Sequence, residues 1–169
     1  MADGIRTGQL SDGRQGCAVL GRRIETAWAL AEAGQSREAR DLCAAVCLHE
    51  LEALRGAPAL TARLVEALLL SGMFGQVARL LRSLAGVDLR IAPMAGNGTA
   101  DAFLCGEEGS RLVVALDPAA LAAADRAQVA RNWSRRILDG VGRRAAWPAP
   151  LSRLGDVRPS CRSAAFTKA

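Results

Sequence analysis

A single histidine, His49, and a single lysine, Lys168, stand in a chain of 169 residues. One histidine excludes every mechanism built on a histidine pair. His49-Glu50 could open a zinc-protease helix, but position 53, where the second histidine ligand would stand, is alanine. No nucleophile motif surrounds His49 to complete a serine or cysteine triad. Apolar runs of about 18 to 20 residues, the length of a membrane span, are also lacking. The longest, Leu64 to Leu70, is short and contains Glu66. The N-terminal stretch from Met1 to Gly16 is polar and glycine-rich and has no apolar core of a secretory signal, so a cytoplasmic location is expected. Cysteines 17, 43, 47, 105 and 161 form an odd, sparse set, expected to stay as thiols in a reducing compartment.

Half of the residues are apolar and 23% are charged, which suits one ordinary domain or two small ones. Such a length buries roughly 70% of the surface exposed by the unfolded chain, so neither metal nor disulfide is required for folding and no cofactor is expected. Charge is polarised along the sequence. Residues 1–125 carry a net −3 and residues 126–169 a net +8. Of the 22 basic residues 21 are arginine, a usage that by itself implies no function.

Residues 1–16 read as a flexible tail punctuated by glycine. From Cys17 a helical stripe begins, with Leu20, Ile24, Ala27, Trp28 and Ala31 on one face and Gly34 as its end. Ser36 and Glu38 suit the start of a second helix, whose stripe runs Ala39, Cys43, Val46, Cys47, Leu51 and Leu54 before Gly56 and Pro58 break it. A third stripe (Leu60, Leu64, Ala67, Leu68) ends at Gly72, and a fourth (Phe74, Val77, Ala78, Leu81, Leu84) at Gly86. Placing Gly34 on Gly72 superposes Ala29 on Ala67, Leu30 on Leu68, Ala39 on Val77 and Leu42 on Leu80, with one constant offset and no gap. A self-match of that period marks stacked helical repeats.

The residues Ala27, Leu30, Gly34, Glu38, Ala39 and Cys43, followed by the looser copy Leu64, Leu68, Gly72, Phe74 and Leu81, resemble the tetratricopeptide repeat. The tryptophan that opens that motif and the proline that closes it are missing from both copies, and the period, from Gly34 to Gly72, is longer than the family's usual value of about 34. The resemblance implies two stacked antiparallel hairpins over residues 17–86, whose first helices line a groove for a protein segment. The groove positions would be Ile24, Trp28 and Ala31 in the first copy and Ala62, Glu66, Leu69 and Leu70 in the second. The rest of the chain is expected either to cover them or to leave them for a partner.

Beyond Gly86 the period shortens. Val87, Leu89 and Ile91 alternate, and Ala102 to Cys105 and Arg111 to Leu116 read as strands joined through Gly106-Glu-Glu-Gly109, giving a small antiparallel sheet. Asp117-Pro118 predicts a helix start, with Leu121, Val129, Ala130, Trp133 and Ile137 as its packing stripe and an end at Gly140 to Gly142. The sheet and helix (87–142) are expected to pack on the first unit, followed by a basic, flexible tail over 143–169. The fold class is therefore α+β, mainly α.

Two chemistries compete with the groove, and two more find no support. Cys43 and Cys47, one helical turn apart, are the only candidates for a metal or thiol-redox site. They lie in an apolar stripe, with His49 turned about 200° from Cys47 and no fourth ligand at zinc spacing. Arg131, Arg135, Arg143 and Arg144 are candidates for a polyanion, nucleic acid or an acidic surface. Gly96-Asn97-Gly98 lacks the third glycine and the helix of a dinucleotide site, and Glu107-Glu108 are expected solvated at a hairpin tip. The poverty of catalytic residues points to a non-catalytic adaptor, chaperone or assembly subunit whose partner is another protein.

Overall fold

The computed structural model describes residues 9–94 and 103–145. Six α-helices and three strands follow one another there as α1 (Gln9–Glu32), α2 (Ser36–His49), α3 (Leu51–Arg55), α4 (Pro58–Leu70), α5 (Phe74–Ala85), β1 (Leu89–Pro93), β2 (Phe103–Glu108), β3 (Arg111–Leu116) and α6 (Arg126–Gly142). The fold is α+β and mainly α. α1 packs against both α2 and α4, α6 lies along the latter, and α5 leads into β1. One continuous core runs from Leu20 on α1 to Val141 on α6.

The turns that close α1 and α4 repeat hydrogen bond for hydrogen bond. Gln35 N–H donates to Leu30 C=O at 2.9 Å and Met73 N–H to Leu68 C=O at 2.8 Å, while Gly34 and Gly72 donate to Ala31 and Leu69. Both glycines are left-handed, with φ of 82° and 71°. That conformation lets the backbone satisfy the last carbonyls of a helix and costs any residue with a Cβ about 1–2 kcal/mol. The constant offset seen in the sequence is thus a repeated backbone conformation. Arg40 from α2 then donates to the Ser71 carbonyl at 2.9 Å, fastening the first hairpin to the end of α4.

Several elements depart from the sequence reading. α1 starts at Gln9, well before the stripe at Cys17, so part of the expected tail is helical; residues 1–8 lie outside the described residues. The second stripe is not one helix. The backbone turns at Glu50 (φ −119°, ψ 21°), and α3 follows as a separate piece, held by Arg23 to Glu50 at 3.1 Å and by the buried Thr61 hydroxyl donating to Leu54 C=O at 3.0 Å.

The sheet is mixed, in the order β1-β3-β2, with β1 parallel to β3 and β2 antiparallel to it. An all-antiparallel meander would have placed β2 in the middle. β3 takes that place because Leu112 to Leu116 are apolar throughout, as a central strand requires, whereas Pro93, Gly106, Glu107 and Glu108 belong on edges. β2 also runs on to Glu108, which leaves Gly109, with φ of 61°, at the turn.

Asp117 caps as expected, accepting from Ala119 N–H at 2.9 Å, but only a 3-10 turn over Pro118–Ala122 follows. Ala123 is extended and α6 begins at Arg126. After Leu121 the next residue of the expected packing stripe is Val129, so a continuous helix would have had an unanchored stretch in between.

Candidate interaction face

α1 packs against α4, and residues 25 and 63 face each other across that contact. Arg63 on α4 donates from Nε and Nη2 to both carboxylate oxygens of Glu25 on α1, each at 2.9 Å, and from Nη1 to Glu66 at 2.9 Å. The guanidinium carbon lies 3.7 Å above the Trp28 ring, which is half-buried on the flank of α1 that faces α4. Burial works against the Arg63 charge, but the hydrogen bonds and charges of Glu25 and Glu66 more than offset it and raise its pKa. A guanidinium held flat on an indole adds about 0.5–2 kcal/mol according to its desolvation.

Trp28 carries one anomaly. Its indole Nε1 is buried and has no hydrogen-bond partner, alone among the buried side-chain nitrogen and oxygen atoms of the described residues. Such a donor costs roughly 1–3 kcal/mol when nothing accepts from it. Glu25 and Glu32 stand one turn before and one turn after this residue, both exposed. Leu70, one turn beyond Glu66 on α4, is half-buried.

The groove positions expected from the repeat pattern therefore separate. Ile24 and Leu69 are 0% exposed and Ala31 is 1% exposed, so these three belong to the core and present nothing to a partner. Trp28 and Leu70 keep partial exposure, and Glu66 is committed to Arg63. The cause is the apolar character of α4 on nearly every side. With α1 and α6 beside it and α2, α3 and α5 also in contact, Val65, Ala67, Leu68 and Leu69 all find neighbours, as an all-round hydrophobic helix must. Ser134 of α6 donates to the Ala62 carbonyl at 3.1 Å, and Arg126 reaches the Gly34 turn, so α6 covers much of the expected groove.

The arginine set also divides. Arg144 is a structural tie, donating to Ser110 C=O at 2.7 Å and pairing at 2.6 Å with Glu107, which is exposed beside the Gly109 turn as expected. Arg131 is exposed and donates to Gln128 at 3.3 Å; Arg135 is exposed one turn on; Arg143 lies exposed in the turn after α6. Arg136, not singled out in the sequence, lies 4.2 Å from the Phe103 ring. The rest of the basic tail, from residue 146, and the Gly96-Asn97-Gly98 stretch lie outside the described residues.

Cys43 and Cys47 are buried and His49 is exposed. Burial, and secondarily Cys47, pushes the Cys43 thiol up to about 12, and burial also raises Cys47 despite Gln76 and Arg79 beside it. Neutral thiols are poor ligands and poor nucleophiles. Among the described residues no group of three or more His, Cys, Asp or Glu is placed to hold a metal ion, and no helix is long and apolar enough to cross a membrane.

The Arg63 cluster escaped the sequence reading, although its signal was present. With Gly34 placed on Gly72, Glu25 aligns with Arg63 and Trp28 with Glu66, an opposite-charge pair next to an aromatic. No protein-family model matches the chain, and searches of curated proteins and of solved structures return no match.

Proposed function

We propose that this chain is a non-catalytic adaptor, chaperone or assembly subunit, that its two hairpins are a tetratricopeptide-like pair, and that it holds a protein segment against the strip formed by Trp28, Glu25, Glu32, Arg63 and Leu70. The observation that carries the reading is the Trp28 indole, partly exposed, roofed by a guanidinium and left with an unpartnered N–H. A half-open aromatic next to a fixed arginine is the composition of a protein-binding hot spot. A segment laid on this strip gains the exposed part of the Trp28 ring beside an arginine already held in place by Glu25 and Glu66.

The test is a photo-crosslinking residue placed at Glu32, with Glu52 on α3 as the control position, in the cells that make the protein. The expected outcome is a protein adduct of discrete mass from position 32 that is absent from position 52 and lost on Trp28→Leu in a variant of unchanged circular dichroism. Equal adducts from both positions, or an adduct indifferent to Trp28, would remove the face from consideration. Leu69→Ala is unsuitable as a binding variant because Leu69 is core.

A further inference from the structure

We propose that the open face of the sheet is a docking surface for a second copy of this chain, packed face to face about a two-fold axis. Side chains alternate along each strand, and the register turns Leu112, Val114 and Leu116 of β3 towards the core. Arg90 and Ala92 of β1, Val113 and Ala115 of β3, and Leu104 and Gly106 of β2 share the opposite face. A sheet with one solvated face alternates apolar and polar residues, and β3 departs from that rule with Val113 and Ala115. Ala92, Val113 and Ala115 are half-buried without packing on the core, and Leu104 is 42% exposed.

Charge and side-chain size make this face complementary to itself. At one end Asp88 accepts from Arg111 and pairs with Arg82, with Arg90 and Glu108 beside them, so three cations stand against two anions. At the other end Asp117, extended at φ −91° and ψ 107°, continues the alternation of β3 and adds an anion to the same face. A two-fold axis lying across the strands at the level of Val114 reverses each strand over its own copy. Arg111 of each copy then stands opposite Asp117 of the other. Val113 meets Ala115, Arg90 meets Ala92 and Leu104 meets Gly106, so on every strand a larger side chain faces a smaller one. An axis running along the strands would instead lay β1 over β2, setting Asp88 on Glu108 and Arg111 on its own copy. Charge therefore selects the first arrangement. Three strands about 4.8 Å apart and five residues long make a patch of about 14 by 16 Å, well short of the roughly 800 Å² that each partner gives to a standard interface. The dimer is accordingly weak and reversible, and it forms at high concentration. The face shares no residue with the Trp28 strip and does not depend on a partner there.

The test is sedimentation velocity of the full chain from about 10 µM to about 1 mM. A shift from monomer to dimer with rising concentration is expected. Leu104→Ser, which removes an exposed apolar side chain from each copy, should weaken the association by about tenfold or more, and Trp28→Leu should leave it unchanged. Arg111→Asp and Asp117→Arg should each be monomeric alone, with unchanged circular dichroism. Mixed in equal amounts they should form a heterodimer, because each supplies the charge that the other has lost. A chain that stays monomeric throughout, a dimer indifferent to Leu104→Ser or lost on Trp28→Leu, or two folded charge variants that do not associate on mixing would overturn the proposal.

Discussion

Leu69 and Leu70 are consecutive on α4 and both belong to the groove expected from the repeat pattern, yet the structure sets them far apart in energy. Leu69 is 0% exposed and Leu70 is half-buried. Truncating Leu69 to alanine removes three carbons from full burial, about 2.4 kcal/mol of transfer free energy at ~0.8 kcal/mol per carbon. The cavity left among α1, α4 and α6 brings the cost to about 3–4 kcal/mol, inside the measured span for buried leucines. Leu70→Ala loses roughly half the transfer component and leaves no closed cavity, about 1 kcal/mol. Urea unfolding followed by far-ultraviolet circular dichroism at neutral pH gives both numbers from the shift in midpoint, provided the slope is unchanged. In heating experiments the same difference separates the two variants by roughly 5–10 °C. Equal costs, or a Leu69→Ala penalty below about 1 kcal/mol, would mean that Leu69 faces solvent and that α6 does not close the groove.

Gly34→Ala and Gly72→Ala are expected to cost the same, about 1–2 kcal/mol each, because both sites have positive φ and a Cβ there meets only an arginine Nη2 at ordinary contact distance, 3.8 and 3.7 Å. Unequal penalties in chemical denaturation would break the equivalence of the two turns. The thiols give a pH prediction. The folded pKa of Cys43 is raised from 9.0 to about 12, so the neutral thiol is the form the fold favours: its contribution to stability is unchanged below pH 9, and the fold loses stability relative to the unfolded chain as pH climbs from 9 toward about 12. Iodoacetamide at pH 8, read by peptide mapping, should therefore modify the exposed Cys17 at least a hundredfold faster than Cys43 or Cys47, which become reactive only on opening of the core. Comparable rates would contradict the buried, neutral state of the pair.

What the sequence made legible was local. The helices ending at Gly34, Gly72 and Gly86 are visible because capping and 3.6-residue periodicity act over a few residues, whereas the turn at Glu50 that splits the second stripe into α2 and α3 leaves that periodicity unbroken. Trp133, Ile137 and Ala130 were placed in the core for the same reason, and they are 4%, 0% and 0% exposed. The strand order was hidden because the pairing of Leu89 with Leu112 joins strands that have β2 between them in the chain, a long-range choice that local periodicity does not encode. The start of α1 was hidden because residues 9–16 have almost no apolar periodicity. The covering of the α4 groove positions could not be read from α1 and α4 alone, since α6, which packs along α4 and ties Ser134 to the Ala62 carbonyl, comes much later in the chain.

The charged cluster falls between these cases, and it bears on how such a pair of hairpins keeps its register. In a stack of identical repeats every position lies beside its own copy, so a charge written at one exposed position meets the same charge in the next. Here the two stretches carry opposite charges at facing positions, Glu25 on α1 and Arg63 on α4, with Trp28 and Glu66 beside them. A slip of α4 by one helical turn would carry Arg63 about 5.4 Å from Glu25 and Trp28 together. The cluster thus fixes the register of α4 against α1 from the outside, while Leu64, Val65 and Leu68 pack it from within. Fixing that register also holds Trp28 half-buried under the Arg63 guanidinium, so the contacts that align α1 and α4 are the ones that leave a buried, unpaired indole donor between them.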